Sequence, residues 1–85
     1  MAKRVVGKRI RDQRKRLGMT QERVAEVAEV DRKHISTIEA GETEPRIYTL
    51  VRIAGALDLP VEELVAGLVF MPSEHSTGHL ELRSI

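Results

Sequence analysis

The sequence predicts an all-α domain of five short helices, followed by a short C-terminal strand pair or hairpin tail. Three observations carry this. Aliphatic residues recur at helical spacing in successive blocks up to about residue 68. The blocks are separated by helix-ending and helix-starting residues: Gly18, Gly41, Pro45 and Pro60 on one side, Thr20 and Asp31 on the other. From residue 68 onward the pattern changes to short apolar runs around a loop rich in Ser, Gly and Pro.

The first helix is predicted over Val5–Leu17, with Val6, Ile10, Gln13 and Leu17 on its inner face and Gly18 ending it. Residues 1–4, MAKR, read as a frayed basic arm able to reach an anionic partner. Thr20 starts the second helix, since its hydroxyl can accept an orphan backbone N–H, and Glu22 sits favourably in the first turn. Val24, Ala25, Val27 and Ala28 share one side of it. Glu29 and Val30 break the pattern. Asp31 then caps a third helix in which Ile35, Ile38 and Glu39 face inward. Arg32, Lys33, Ser36, Thr37 and Ala40 face the other way, and Gly41 closes the helix.

The run ETEPR is a loop whose exit Pro45 fixes, and a fourth helix follows from Ile47 to Leu57 with Leu50, Ile53, Ala54 and Leu57 aligned. Pro60 stands at the first position of a short fifth helix, where its missing N–H is harmless, and Val61, Leu64 and Val65 turn inward with Leu68 a turn beyond. Joined by short loops, these helices enclose one aliphatic core. LVFM and HLELRS read as two strands, with Leu80 and Leu82 on one face. An isolated hairpin is marginal in water. The tail is therefore expected to extend the core, to meet its counterpart in a second subunit, or to be a disordered end.

Composition narrows the function. Eighty-five residues make one domain, and a chain this short buries only about 60% of its unfolded surface, so dimerisation would help its stability. Without cysteine it has no disulfide or thiol chemistry. No apolar run approaches the ~20 residues of a membrane span, and the N-terminus is too basic for a secretory signal. A soluble, cytoplasmic protein with no membrane contact is expected. The net charge is only +1, yet residues 1–18 hold eight of the 14 Lys and Arg and one of the 13 acids. This asymmetry suggests an anionic partner met at a positioned contact.

The third helix suits such a partner. Its aliphatic inner face and small, cationic or hydroxylic outer face are shaped to lie in the major groove of B-DNA. Tyr48 and Phe70 are the chain's two aromatic residues, too few to stack the bases of a single strand.

The order and spacing of several short runs carry a resemblance. IRDQR precedes TQ by five residues, then come VAEVA and DRKHISTIEAG, then Pro45 followed by Leu50, Ile53–Ala54 and Leu57, and last VEEL. From about Val6 to Leu64 the chain resembles the phage repressor and Cro type of helix-turn-helix regulators, the XRE family. The resemblance implies a lambda-repressor-like DNA-binding domain over residues 1–67, with the helix-turn-helix at about 20–41, and leaves 68–85 as a tail. It further implies a sequence-specific regulator of transcription that reads an operator in double-stranded DNA through the major groove, as a homodimer.

Carried over residue by residue, the resemblance assigns base contacts to Arg32, Lys33 and Thr37, with Ser36 beside them. Gln21 matches the glutamine that holds a phosphate at the start of the second helix. Thr43 and Arg46 are the further phosphate candidates, with Arg9 and Arg23 after them. Arg14 and Glu39 are implied to pair beneath the surface. The family often has glycine where this chain has Glu29, so that residue is expected to turn left-handed or to alter the turn. Glu42 and Glu44 put acid in a loop that relatives often make basic.

No catalytic constellation is present. His34 and Ser36, two positions apart on a helix, point away from each other, and His75 and His79 are separated by residues unsuited to a helix that would align them on a metal. Neither enzyme activity nor a cofactor or metal is expected. Two rival roles share the fold: an antitoxin that also binds its own promoter and holds a toxin through its tail, and a protein-binding adaptor without groove contacts, against which Arg32 and Lys33 argue.

Overall fold

Capping chemistry sets the helix boundaries. In the computed structural model, which describes residues 2–72 and 78–83, the order is α1 (Ala2–Arg16), α2 (Gln21–Ala28), α3 (Arg32–Glu39), α4 (Ile47–Ala56), α5 (Glu62–Val65), β1 (Leu68–Met71) and β2 (His79–Leu82). Thr20 accepts the Arg23 N–H at 3.0 Å and Asp31 accepts that of Lys33 at 2.9 Å, each satisfying a donor that the first helical turn leaves free. The opposite ends turn left-handed. Gly41, at φ 75°, sends its N–H to the Ile38 carbonyl while Glu42 bonds that of Thr37, both at 3.0 Å. Glu29 and Val30 close α2 by the same bonds to Glu26 and Ala25. Glu29 thus takes the left-handed conformation, at φ 58°, that a glycine would adopt without strain.

The core is aliphatic. Ile10, Val24, Ile35, Ile38, Ile53, Leu57 and Leu64 are fully buried, at least one from each helix, and each such side chain contributes roughly 1.5–3 kcal/mol over the exposed state. α2 packs on both α3 and α4, and α1 packs on α3. The α1–α3 approach is close because Gly7 lacks a side chain: a Cβ there would lie 2.3 Å from the Ile38 carbonyl oxygen and 2.8 Å from that of Glu39. Side chains also tie the helices together. Gln13 donates to the Leu57 carbonyl at 2.9 Å, and Arg52 to that of Ala28 at 3.0 Å.

Four expectations are corrected. Leu17 is 43% exposed, because α1 ends at Arg16 and the chain reverses at Gly18, so that Met19 packs against the core in its place. Val27 is 45% exposed because Val24, Ala25 and Ala28 already define the buried stripe, and at helical spacing Val27 falls outside it. Val65 is exposed, while Leu64 beside it is fully buried. Residues 2–4 are the first turn of α1, not a frayed arm: Arg4 lies against Gly41, and Ala2 and Lys3 line a cleft with Glu44, Pro45 and Leu80.

The hairpin is antiparallel, pairing Leu68 with Leu82, Val69 with Glu81, Phe70 with Leu80 and Met71 with His79. This register gathers Leu68, Phe70, Leu80 and Leu82 on one face. Leu68 packs against the core, whereas Phe70, Leu80 and Leu82 are exposed. Among the described residues no helix is long and apolar enough to cross a membrane, and no group of three His, Cys, Asp or Glu could hold a metal ion. His75 lies outside the described residues, and His79 stands 3.8 Å from Glu81.

Candidate nucleic-acid interface

The outer surface of α3 is presented by what lies beneath it. Ile35 and Ile38 are sealed in the core, and Glu39 is buried with them. That burial turns the opposite side outward: Arg32 and Lys33 are exposed at the start of the helix, and Ser36 and Thr37 are half-buried one turn along. The Thr37 hydroxyl donates to the His34 carbonyl at 3.1 Å, so its remaining capacity toward an outside group is as an acceptor. Asp31, Lys33, His34 and Thr37 line a shallow depression on this surface.

Beneath the helix a charged network fixes its position. Arg14 donates two parallel hydrogen bonds to Glu39, from Nε to Oε2 at 2.7 Å and from an Nη to Oε1 at 3.0 Å, and its other Nη bonds the Met19 carbonyl at 2.9 Å. Hydrogen bonding to Glu39 raises the Arg14 guanidinium above its already high ordinary pKa, with burial opposing. Gln21 adds a third donor, its amide reaching Glu39 Oε1 at 3.1 Å. Arg11, not singled out from the sequence, bonds the Glu39 carbonyl at 3.3 Å and places its Nε 3.8 Å from Oε1. A signal for it existed: Arg11 and Arg14 are three positions apart on α1 and so share a side.

The remaining candidates separate. Gln21 stands at the first position of α2 and joins that helix to the base of α3 through Glu39. Thr43 is half-buried in the loop after α3, and Arg46 is exposed at the N-cap position of α4. Arg9, midway along α1, is turned to α5, where it donates to the Leu64 carbonyl at 3.3 Å. Arg23 pairs with Glu26 on the exposed side of α2.

Two short helices meeting at a left-handed turn, the second with a cationic, hydroxylic outer face, define a helix-turn-helix unit. The family model described as Helix-turn-helix matches residues 10–64, and the chain belongs to that family of DNA-binding regulators, in its XRE type. The immunity repressor protein of Bacillus phage phi105 is 34% identical over 71 residues, which are 84% of this chain and 49% of that repressor. The chain thus spans about half the length of the repressor it matches. Among solved structures, the restriction-modification controller protein C.AhdI from Aeromonas hydrophila superposes with a TM-score of 0.71 at 29% identity, over 73% of this chain and 94% of that one. The P22 c2 repressor, solved in complex with a synthetic operator, gives 0.69 at 33% identity over 74% and 96% of the two chains. The family and these relatives are regulators, not enzymes.

Proposed function

We propose that the chain is a sequence-specific regulator of transcription that reads double-stranded DNA through the major groove with α3, as a homodimer. One observation carries this reading: Ile35, Ile38 and Glu39 anchor α3 from below, while Arg32 and Lys33 project from its first turn with Ser36 and Thr37 beside them. Arg32 is suited to donate two hydrogen bonds to guanine O6 and N7, Lys33 to reach guanine or a phosphate, and the Thr37 methyl to meet that of thymine. Gln21, Thr43 and Arg46 hold the backbone and fix the register. A dimer places two such helices in major-groove segments about 34 Å apart and reads an inverted repeat.

The test is selection of bound sequences from random duplex DNA, followed by gel shifts at several salt concentrations. The expected result is an inverted repeat with half-sites about one helical turn apart, and an affinity that falls as salt rises. Recovery of no shared sequence, with equal binding to every duplex, would refute the reading.

A further inference from the structure

We propose that the C-terminal hairpin is the self-association surface of this chain, and that its β2 strand pairs antiparallel with β2 of a second copy about a two-fold axis through Leu80. The inference rests on the dimeric reading above and names the surface that forms the dimer. β2 is exposed along its whole length, and the sheet contains only β1 and β2 among the described residues.

The backbone is oriented for this pairing. The Arg83 N–H donates to the Gly67 carbonyl at 2.7 Å, which makes that opposed pair a hydrogen-bonded one. By alternation the next hydrogen-bonded pairs are Val69 with Glu81 and Met71 with His79. Leu80 and Leu82 consequently direct their N–H and C=O groups away from β1, toward the edge a second strand would occupy.

The side chains are self-complementary, as a two-fold contact requires. An axis through Leu80 sets it against the partner's Leu80 and His79 against the partner's Glu81, with the reciprocal pair on the other side. His79 and Glu81 stand 3.8 Å apart along β2, and their in-chain cross-strand neighbours, Met71 and Val69, are uncharged. On the opposite face the same axis continues Phe70 and Leu80 into the partner's Leu80 and Phe70 as one apolar row. It also brings Leu82 opposite the partner's Gly78, which has no side chain of its own. At Gly78 the Phe70 ring occupies the space a Cβ would need, with Cζ 2.4 Å from that position, so the incoming Leu82 meets an aromatic ring. The pairing thereby covers Phe70, Leu80 and Leu82, which are 59%, 40% and 48% exposed in the single chain.

Sedimentation equilibrium of the full chain without DNA tests the pairing. The wild type is expected to dimerise at micromolar concentration, and a monomer throughout would overturn the proposal and leave the face to a foreign partner. Leu80→Lys is expected to be monomeric with unchanged helical circular dichroism; an undiminished dimer would overturn it. His79→Glu sets carboxylates opposite each other across the seam and, with helical circular dichroism unchanged, is expected to weaken dimerisation about tenfold, or about 1.4 kcal/mol. Combining it with Glu81→Lys is expected to restore the dimer, and a double variant no better than the single one would count against the pairing. Because mass is read without DNA, failure of DNA reading and failure of this surface give different results.

Discussion

Arg14 grips Glu39 with two parallel hydrogen bonds of 2.7 and 3.0 Å, and the Glu39 side chain is only 2% exposed. The pair joins α1 to the last turn of α3. A buried ion pair adds little net stability once desolvation is counted, but removing one partner strands the other. Glu39→Ala leaves the Arg14 guanidinium, itself 13% exposed, without its counter-charge. The expected cost is ~3–5 kcal/mol, read from urea denaturation. An unchanged midpoint would show that the pair carries no structural role.

Glu29 holds a left-handed conformation at φ 58° in the turn between α2 and α3. A side chain costs about 1–2 kcal/mol there, while glycine adopts the conformation freely, at some entropic cost of its own. Glu29→Gly is expected to stabilise the fold by ~1 kcal/mol, which raises Tm by roughly 4–8 °C in a domain this small. A lowered Tm would mean that the Glu29 side chain contributes more than the backbone loses.

The helical core is legible because aliphatic periodicity and burial have one cause: Ile35 and Ile38, or Leu50, Ile53, Ala54 and Leu57, fall on one side and are buried there. The capping residues Thr20 and Asp31 are legible for the same reason, since their geometry is local. What escapes the sequence depends on tertiary contact. MAKR has nothing in its own composition to order it; only the fold brings Arg4 against Gly41, 37 positions away. Gln21 and Arg9 carry donors that suit a phosphate and a protein acceptor equally, and only the fold shows Glu39 and the Leu64 carbonyl within reach. The roles assigned to Arg32, Lys33 and Thr37 rest on family spacing, because the helix face alone describes any solvated surface as well as a groove-reading one.

Gly7 lets α1 touch the backbone of α3. Gly7→Ala puts a methyl group 2.3 Å from the Ile38 carbonyl oxygen, and backbone cannot rotate aside as a side chain can. The expected cost is ~1–3 kcal/mol from overpacking. Because the displaced element is α3, DNA affinity measured well below the transition temperature should fall as well. Full stability and full affinity would show that the two helices separate at no cost.

Lys8 and Asp12 form an exposed pair at 2.7 Å on α1. The hydrogen bond from Lys8 is the main reason that the Asp12 carboxyl lies below the ordinary aspartate range. A depressed folded pKa gives stability that is present above the unfolded value and lost as pH falls through the folded one. Solvent screens both groups, so the effect is small. Lys8→Ala is expected to leave the denaturant midpoint at neutral pH unchanged within error. A large loss at neutral pH that vanished in acid would reveal a stronger pair than its exposure allows.

Arg32 and Gln21 are assigned different tasks, and binding to two kinds of DNA separates them. In the proposed reading Arg32 reads a base edge, so Arg32→Ala should cost ~1–3 kcal/mol on the selected sequence and relax the preference at one base pair. Its effect on scrambled duplex should be much smaller. In the proposed reading Gln21 holds a phosphate, so Gln21→Ala should weaken both duplexes about equally. The salt dependence gives an independent check, because its slope counts the cations that neutralise phosphates. Gln21 is uncharged and its loss should leave the slope unchanged, whereas Arg46→Ala should reduce the slope by about 1. Gln21 also bonds Glu39, so each comparison is made at a temperature where both variants are fully folded. If Arg32→Ala weakened selected and scrambled DNA to the same degree, Arg32 would be a backbone contact and the reading of sequence would have to come from Lys33, Ser36 or Thr37.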